Sequence, residues 1–224
     1  MDVESRARAS GGTAAPAIYQ MVARALRGRH PGGGTVIDVG CGNGYLYPFL
    51  QRRFDRYLGV DVVRYDALPS EIEFHQVDLE TGRIPLPDDG ADVVLAVETI
   101  EHVENPRALM RELVRLARPG GFVAITTPNQ RCLKSLVNLV LRGEFIHFQD
   151  ISYPAHLTAL LEVDLLRIAS ENCLADVAVY FSLHTSISGT QWDVPLTIAR
   201  RFPRALSENV LLVGRKQVEE LSGP

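Results

Sequence analysis

The sequence predicts a doubly wound α/β fold, in which helices cover both faces of a mostly parallel β-sheet. Short apolar runs alternate with helical patterns from residue 14 to about residue 127, which is the order of a βαβ series. A glycine-rich turn at residues 40–44 separates the first apolar run from the helix that follows. The 224 residues suffice for one domain with a full core and are too few for two independent domains. We therefore predict a single domain over residues 1–224, with a flexible segment at residues 1–13.

Each predicted element follows from an apolar run or from a helix signal. Asn105 and Pro106 mark a helix start, because Asn caps free N–H groups and Pro is tolerated at the first helical position. The predicted helices are residues 14–26, 45–54, 106–118, 131–141 and 163–172. The predicted strands are residues 35–39, 57–60, 72–77, 92–97, 122–127, 176–181 and 210–213.

Residues 128–160 and 184–207 are predicted to be insertions on the substrate side of the domain. Much of each stretch lacks strong periodicity, and long irregular stretches in an α/β domain are usually functional loops. Their aromatic side chains either form the walls of a ligand pocket or anchor the loops to the core. These side chains are Phe145, His147, Phe148, Tyr153 and Trp192.

Composition and charge exclude several classes of protein. The chain is 46% hydrophobic and 22% charged, which is the balance of a globular domain rather than a disordered one. We find no apolar leader and no apolar run of about 18 residues, so we expect a cytoplasmic protein without a membrane span. Three cysteines form no disulfide framework, and we expect reduced thiols. The net charge of −4 gives no basic footprint for nucleic acid, so no nucleic-acid partner is expected.

The glycine turn at residues 40–44 predicts a nucleotide-like ligand. A strand, a Gly-x-Gly-x-Gly turn and a helix place backbone N–H groups beside a cleft at the carboxyl end of the sheet. The dinucleotide fingerprint has its third glycine one position later, which weakens an NAD site. Asp61 ends the second strand, where its oxygens could accept both hydroxyls of a ribose. Asp78 follows the third strand, in a position to meet an exocyclic amine.

Acidic residues around this turn indicate a cationic ligand. Asp38, Asp61 and Asp78 lie near it in the predicted fold, and no Lys or Arg lies between Gly40 and Gln51. Such a site would repel a pyrophosphate and attract a positive charge. S-adenosylmethionine fits, since it carries a sulfonium, an ammonium and a ribose diol but no phosphate.

Four segments resemble the Rossmann-like, class I S-adenosylmethionine-dependent methyltransferases. They are residues 36–44, 59–61, 77–79 and 117–121. The resemblance covers about residues 20–215 and implies a seven-stranded sheet whose last strand is antiparallel. It also implies that the glycine loop lies against the methionine moiety, that Asp61 holds the ribose, and that Asp78 and Leu79 border the adenine. The implied cofactor-binding residues are Asp38, Gly40, Cys41, Gly42, Asn43, Gly44, Asp61, Val62, Asp78, Leu79, Val97 and Glu98.

Residues 97–103 resemble a subset of this family, and so do residues 127–129. The subset comprises the O-methyltransferases of ubiquinone biosynthesis and the enzymes that methylate the terminal 2′-hydroxyl of small RNAs. In the RNA enzymes, the Glu-x-x-Glu-His segment and a later histidine bind a divalent metal. If residues 98–102 form a helical turn, their acids and histidine fall within about a 100° arc and could share one ligand. The segment supplies Glu98, Glu101 and His102, and His156 is the candidate fourth ligand.

Two interpretations of this segment stay open at the level of sequence. In the first, a divalent cation bound by these residues lowers the pKa of a substrate hydroxyl. In the second, Glu98 touches the cofactor, Glu101 is a solvated acid, and His102 alone faces the acceptor as a general base. We give the metal-free version a slight preference, because many relatives with a similar segment resemble simple small-molecule enzymes. The catalytic candidates across the two versions together are His102, Glu101 and His156.

The sequence favours an S-adenosylmethionine-dependent O-methyltransferase that acts on a small-molecule or saccharide hydroxyl. Residues 128–160 resemble those of bacterial methyltransferases that accompany glycan and natural-product pathways. RNA 2′-O-methylation is a second interpretation, although the basic run at residues 107–142 is more typical of a solvated helix face than of an RNA track. A non-catalytic nucleotide-binding or NAD-binding protein is a third.

Overall fold

The computed structural model describes residues 2–81, 83–186 and 193–218. Within these residues, seven strands form one sheet. The strands are β1 (Thr35–Val39), β2 (Arg56–Asp61), β3 (Glu73–Gln76), β4 (Ala91–Val97), β5 (Ala117–Pro128), β6 (Leu174–Phe181) and β7 (Asn209–Lys216). The α-helices are α1 (Val3–Ser10), α2 (Pro16–Arg29), α3 (Tyr47–Leu50), α4 (Pro106–Leu116), α5 (Leu133–Arg142), α6 (Glu162–Glu171) and α7 (Leu196–Arg201).

The sheet has the strand order β3-β2-β1-β4-β5-β7-β6. Strands β1 to β5 pair in parallel, and β7 lies antiparallel between β5 and β6. This confirms the prediction of a seven-stranded sheet with an antiparallel last strand. Chain order reverses between β1 and β4, and in open α/β sheets such a reversal opens a crevice at the carboxyl ends of the strands.

Apolar cores cover both faces of the sheet, as the continuous apolar strands require. Strand β4 shows this most clearly, because Val93 and Leu95 belong to one core and Val94 and Ala96 to the other. Helix α2 packs on the first face, and helices α4 and α6 pack on the second. Strand β4 is therefore packed on both faces, and the residues at its carboxyl end are attached to a rigid central strand.

Several element boundaries differ from the predictions. Helix α3 is a single turn. Arg53 donates its N–H to the Leu50 carbonyl just after this turn, and the chain then bends into β2. Helix α4 ends at Leu116, since Ala117 already pairs with Ala91 as the first residue of β5. The predicted helix stop at residues 119–121 therefore lies inside β5, at an irregularity in its pairing with β4.

Two helices occupy stretches for which the sequence predicts none. Helix α1 lies within residues 1–13, and Asp2 caps it by accepting the N–H of Ser5 at 2.7 Å. Helix α7 lies within residues 184–207. A short 3₁₀ helix, Ile100–His102, follows β4. No helix among the described residues is long and apolar enough to cross a membrane.

Candidate functional site

A pocket of about 850 Å³, its open mouth included, lies at the carboxyl ends of β1, β2 and β4. Its described wall carries four carboxylates, those of Asp38, Asp61, Glu80 and Glu98, against the single guanidinium of Arg6. This excess of negative charge suits a cationic ligand and opposes a diphosphate. The sequence-predicted residues on the wall are Asp38, Gly40, Cys41, Gly42, Asp61, Val62, Leu79, Val97, Glu98 and His102.

The glycine turn after β1 forms the floor of this pocket. Gly40 and Cys41 donate their N–H groups to the Val60 carbonyl at 2.7 and 3.2 Å, so the turn is fastened to β2. Gly40 has a φ of 75°, and a Cβ there would lie 2.2 Å from Thr99 Oγ1. Gly42 has a φ of 53°, and a Cβ there would lie 2.3 Å from the Gly12 carbonyl oxygen. Both positions therefore require glycine.

Asp61 holds the turn and faces the pocket with the same carboxylate. Its Oδ2 accepts the Gly42 N–H at 2.9 Å, and its Oδ1 accepts the Val63 N–H at 3.1 Å. Burial raises its pKa, although these N–H groups act in the opposite direction. Because a carboxylate has about four lone-pair sites, two remain for hydroxyl groups of a ligand. This is the position that the sequence predicts for a ribose.

Asp38 lies on the pocket wall and has one buried carboxylate oxygen without a hydrogen-bond partner in the described structure. Tyr57 donates its hydroxyl to Asp38 Oδ2 at 2.6 Å, whereas Oδ1 is buried and has no hydrogen-bond partner among the described residues. Burial raises the pKa of Asp38 to about 7, although the Tyr57 hydrogen bond works against that change. A cationic group in the pocket would satisfy this oxygen and restore its charge. The donor set therefore fits the ammonium-bearing ligand that the sequence indicates.

Three implied cofactor residues do not line the pocket. Asn43 donates its side-chain amide to the carbonyls of Gly11 and Gly12, at 2.8 and 2.9 Å. Gly44 packs against the side chains that precede β3. The side chain of Asp78 accepts the Glu80 N–H at 2.9 Å. The next two residues, Leu79 and Glu80, line the pocket in its place.

Helix α1 covers the pocket, a role that the sequence of residues 1–13 did not predict. Val3, Arg6, Ala7 and Ser10 line the wall. Arg6 forms ion pairs with Glu80 at 2.9 Å and Glu104 at 3.2 Å, and Tyr65 donates its hydroxyl to the Ala7 carbonyl at 2.7 Å. Glu80 and Glu104 could have indicated this contact from the sequence. They belong to an acidic stretch, for which a basic partner is expected.

A carboxylate and two imidazoles form a second centre, which we call the triad: Glu101, His102 and His156. One ligand atom from each residue lies within 4.8 Å of the other two. The Glu101 carbonyl accepts the N–H groups of Leu157 and Thr158 at 2.9 and 3.0 Å, which fastens the segment that carries His156 to the 3₁₀ helix. His102 belongs to both centres, since it also lines the pocket.

The two imidazoles of the triad are held in one tautomer. His102 Nδ1 lies 2.6 Å from the Ala155 carbonyl, and His156 Nδ1 lies 2.5 Å from the His147 carbonyl. Because a carbonyl only accepts, each Nδ1 carries the proton and each Nε2 keeps a lone pair. Burial lowers the pKa of both rings, so both are neutral near pH 7. Neutral imidazoles anchored in this way are suited to accept a proton or to bind a metal.

Glu101 is fully buried, which corrects the sequence interpretation of a solvated acid. Neither carboxylate oxygen has a hydrogen-bond partner within the described part of the chain. Burial raises its pKa to about 8. A buried carboxyl without a partner is costly, and a cation in the triad would relieve that cost.

Residues 98–102 do not form one helical turn, and Glu98 does not join the triad. Glu98 has a φ of 50°, and helical structure begins only at Ile100. Its carboxylate accepts hydrogen bonds from Thr126 Oγ1 and Asn209 Nδ2, both at 2.8 Å. Burial and the nearby Glu101 raise the pKa of Glu98 well above its usual range. Glu98 therefore belongs to the pocket wall and not to the triad.

The aromatic residues of the insertions have separate environments. The Phe148 ring lies 5.3 Å from the His156 ring, so it forms one wall of the triad. Phe145 and His147 are half-buried, whereas Tyr153 is exposed. Trp192 lies outside the described residues.

Comparisons with known proteins agree with this geometry. A family model with the description "Methyltransferase domain" matches residues 14–178. A ubiquinone biosynthesis O-methyltransferase of Idiomarina loihiensis is 28% identical over 166 residues, which are 70% of this chain and 68% of that protein. A second such enzyme, from Aeromonas salmonicida, is 33% identical over 123 residues, and the match spans 51% of its length. A crystal structure of an S-adenosylmethionine-dependent methyltransferase from Archaeoglobus fulgidus has a TM-score of 0.61 at 19% identity, with 88% of this chain and 94% of that chain covered.

The buried carboxyl of Glu101 makes the stability of the metal-free protein depend on pH. Its pKa is about 8 in the folded chain against 4.5 for the ordinary group, so the folded state binds this proton more tightly. The resulting stability is fully present below pH 4.5, falls as the pH rises, and reaches its lowest level above pH 8. We expect Glu101→Gln to stabilise the protein by a few kcal/mol near pH 8.5 and to change little near pH 4.5.

Urea unfolding with a chelator present, at these two pH values, measures the difference. Glu71→Gln alters an exposed carboxyl and serves as the control, with no change expected at either pH. Equal stabilisation by Glu101→Gln at both pH values would contradict the assignment of a buried carboxyl that is neutral in the folded chain.

Proposed function

Since the chain belongs to the Rossmann-like, class I S-adenosylmethionine-dependent methyltransferases, we propose that it transfers a methyl group to a hydroxyl oxygen of a small molecule or saccharide. The observation that carries this proposal is the position of His102, which lines the cofactor pocket and also belongs to the triad. In this position His102 would serve as the proton acceptor for a hydroxyl that loses its proton during methylation. The relatives named ubiquinone biosynthesis O-methyltransferase support oxygen as the target atom.

The cofactor would be held by the acidic wall and the glycine turn. S-adenosylmethionine, when bound, supplies an electrophilic methyl group on a sulfonium. Asp61 would accept hydroxyl groups through its free lone pairs, and the negative charge of Asp38 on the same wall would favour an ammonium. Helix α1 would exclude water from the same space, because its residues form one side of the wall.

His102 would act as the proton acceptor in the metal-free version of the mechanism. Its Nδ1 is committed to the Ala155 carbonyl, so the Nε2 lone pair is the one available to a hydroxyl. Burial lowers the pKa of this ring, whereas the Ala155 carbonyl and the Asp61 carboxylate act in the opposite direction and would stabilise the imidazolium once the proton has arrived. Transfer then requires only that the hydroxyl be held in line with the methyl group.

The triad also fits a divalent cation, which is the second version. One carboxylate and two neutral imidazoles suit a borderline cation such as Zn²⁺ or Mn²⁺. Such an ion, when bound, lowers the pKa of a coordinated hydroxyl. Glu101 would supply an oxygen that has no competing partner in the described structure, and each histidine would supply Nε2.

The charge of the chain does not favour the RNA interpretation. Binding of RNA depends on positive charge against phosphates, whereas the whole chain has a net charge of −4. The 2′-O-methyltransferase alternative therefore has only the triad in its support.

Asp61→Asn should weaken binding of S-adenosylhomocysteine by about 10- to 100-fold. The substitution removes a charged acceptor from the pocket and one that fastens the Gly42 N–H. Asp78→Asn is the matched control, because Asp78 lies outside the pocket wall and should leave the affinity close to that of the parent. Isothermal titration calorimetry measures both, with NAD as a second ligand that should give no heat of binding. Tight binding of NAD would contradict the cofactor assignment.

His102→Ala should lower the rate of methyl transfer by about 10²- to 10⁴-fold while the affinity for the cofactor changes little. Release of S-adenosylhomocysteine with a panel of phenols, catechols and saccharides measures the rate. In the parent, the rate should fall as the pH drops through the imidazole pKa, which burial holds below 6.5. The control variant is His75→Ala, in the edge strand β3. It should show the same fall in rate at low pH as the parent. An unaltered rate in His102→Ala would remove this residue from both versions.

A titration with Mn²⁺ or Zn²⁺ separates the two versions. If the triad binds metal, the ion should raise the melting temperature of the chelator-treated parent and should have a much smaller effect on Glu101→Gln and His156→Ala. Chelation should then abolish turnover, and the same ion should restore it. Full turnover after chelation, with no change in melting temperature, would leave His102 as the base without a metal.

A further inference from the structure

Thr127 has a buried hydroxyl, at the carboxyl end of β5, that takes no part in the contacts described so far. Its side chain is fully buried, and its Oγ1 has no hydrogen-bond partner among the described residues. Asn129, in the same short segment of the sequence, donates its side-chain amide to the carbonyls of Arg204 and Ser207, both at 2.8 Å, and so has a structural role. A buried hydroxyl without a partner is uncommon in a folded protein and requires an explanation.

Buried polar atoms without partners are concentrated in the residues around the triad. Seven such side-chain atoms occur in the described part of the chain, and three of them are Thr127 Oγ1 and the two carboxylate oxygens of Glu101. A fourth is Nε2 of His147, the residue whose carbonyl holds the His156 ring. Several unpartnered polar groups in one region indicate a ligand or ion that satisfies them when it is bound.

Two neighbouring threonines of β5 lie on opposite faces of the sheet, because successive side chains of a strand alternate. Thr126 bonds to Glu98: its hydroxyl donates to Glu98 Oε1 at 2.8 Å and accepts the Glu98 N–H at 2.9 Å. Thr127 shares the other face with Ile125, which belongs to the same apolar core as Ile100 of the 3₁₀ helix. The Thr127 side of β5 is therefore the side on which the 3₁₀ helix packs.

The 3₁₀ helix brings the carboxyl of Glu101 next to the Thr127 hydroxyl. Strand β5 contacts this helix, and Val97, the last residue of β4, pairs with Thr126, so Thr127 lies beside the segment that follows β4. Burial raises the pKa of Glu101, and the N–H of Glu101 itself and the Thr127 hydroxyl act against that effect. The two side chains nevertheless form no hydrogen bond with each other. A donor and a carboxyl thus lie side by side in the protein interior, and neither is bonded.

We propose that Thr127 is a positioning residue of the triad, whose hydroxyl donates to the Glu101 carboxylate when a divalent cation is bound. The inference rests on the metal-dependent version of the proposed function. Side chains that ligate a metal are usually held in place by a hydrogen bond from a neighbouring residue. The two imidazoles of the triad have such anchors in the carbonyls of Ala155 and His147. For Glu101, the Thr127 hydroxyl is the anchor that the geometry offers.

The chemistry of threonine suits this position. A hydroxyl donates to a carboxylate without adding a positive charge, whereas a lysine or an arginine beside Glu101 would compete with a cation for the same oxygens. The branched Cβ of threonine restricts its χ1 rotation, so the hydroxyl of Thr127 keeps its direction within the strand. The carboxylate would therefore be held in one orientation toward the two imidazoles while its negative charge stays available to the cation.

Binding of Mn²⁺ to protein that has been freed of metal by a chelator and then dialysed tests the proposal, and it needs no methyl acceptor. Isothermal titration calorimetry measures the affinity. Thr127→Val keeps a branched side chain of similar size but removes the donor, and it should lower the affinity for Mn²⁺ by about 10- to 100-fold. Thr127→Ser restores the hydroxyl and should bind Mn²⁺ as tightly as the parent does.

Thr126→Val is the matched control, because it makes the same change one residue away on the other face of β5. It removes the donor to Glu98, which does not belong to the triad, and should leave the affinity for Mn²⁺ close to that of the parent. Zn²⁺ gives a second readout. Since carboxylates suit Mn²⁺ and imidazoles suit Zn²⁺, Thr127→Val should weaken the binding of Mn²⁺ more than that of Zn²⁺. Circular dichroism confirms that each variant is folded.

Three outcomes would overturn the proposal. The first is binding of Mn²⁺ by Thr127→Val at the affinity of the parent, or a loss that is equal for Mn²⁺ and Zn²⁺. The second is a loss that Thr127→Ser does not restore or that Thr126→Val reproduces. The third is a parent that binds neither ion. Release of S-adenosylhomocysteine in the presence of a chelator measures methyl transfer separately, so the third outcome would leave the metal-free version of the proposed function standing. Binding of Mn²⁺ as expected, without methyl transfer by the loaded parent, would support the role of Thr127 and contradict the proposed function.

Discussion

The close passage of the chain through Gly40 and Gly42 is the constraint on which the pocket depends. At these positions the backbone approaches Thr99 and Gly12 so closely that no side chain fits between them. The Asp61 carboxylate fastens the turn by accepting the Gly42 N–H, and the Val60 carbonyl fastens its start. Three strand ends and the segment after α1 thereby meet at one point, so a displacement of the turn would open the floor and the cover of the pocket together.

Burial determines the chemistry of the triad. It lowers the pKa of both imidazoles and raises that of Glu101, so without a bound cation the three groups are all neutral. A neutral triad has two open lone pairs and a carboxyl that gains its charge only beside a positive group. A metal ion bound by the triad would supply that positive charge. The destabilising burial of Glu101 is therefore the same feature that prepares the site to accept a cation.

Polar contacts hold helices α1 and α5 in place, whereas apolar packing holds the core strands. Strand β4 is buried between two apolar layers, whereas α1 contributes no buried residue and is held by the ion pairs of Arg6 and the hydroxyl of Tyr65. Helix α5 is likewise held through its polar side. Elements with few apolar contacts open at low free energy, which suits parts of a protein that must admit ligands or meet surfaces.

Local pattern alone determined the strands, the glycine turn and the start of α4, because strand burial, glycine conformations and capping each act within a few residues. It also placed Asp38, Asp61 and His102 at strand ends that the parallel sheet brings together. Only the tertiary structure decided that Glu98 lies apart from the triad, that α1 covers the pocket, and that the apolar side of helix α5 faces solvent. Periodicity tells which side chains share one side of a helix, but the direction of that side depends on contacts with residues far along the chain.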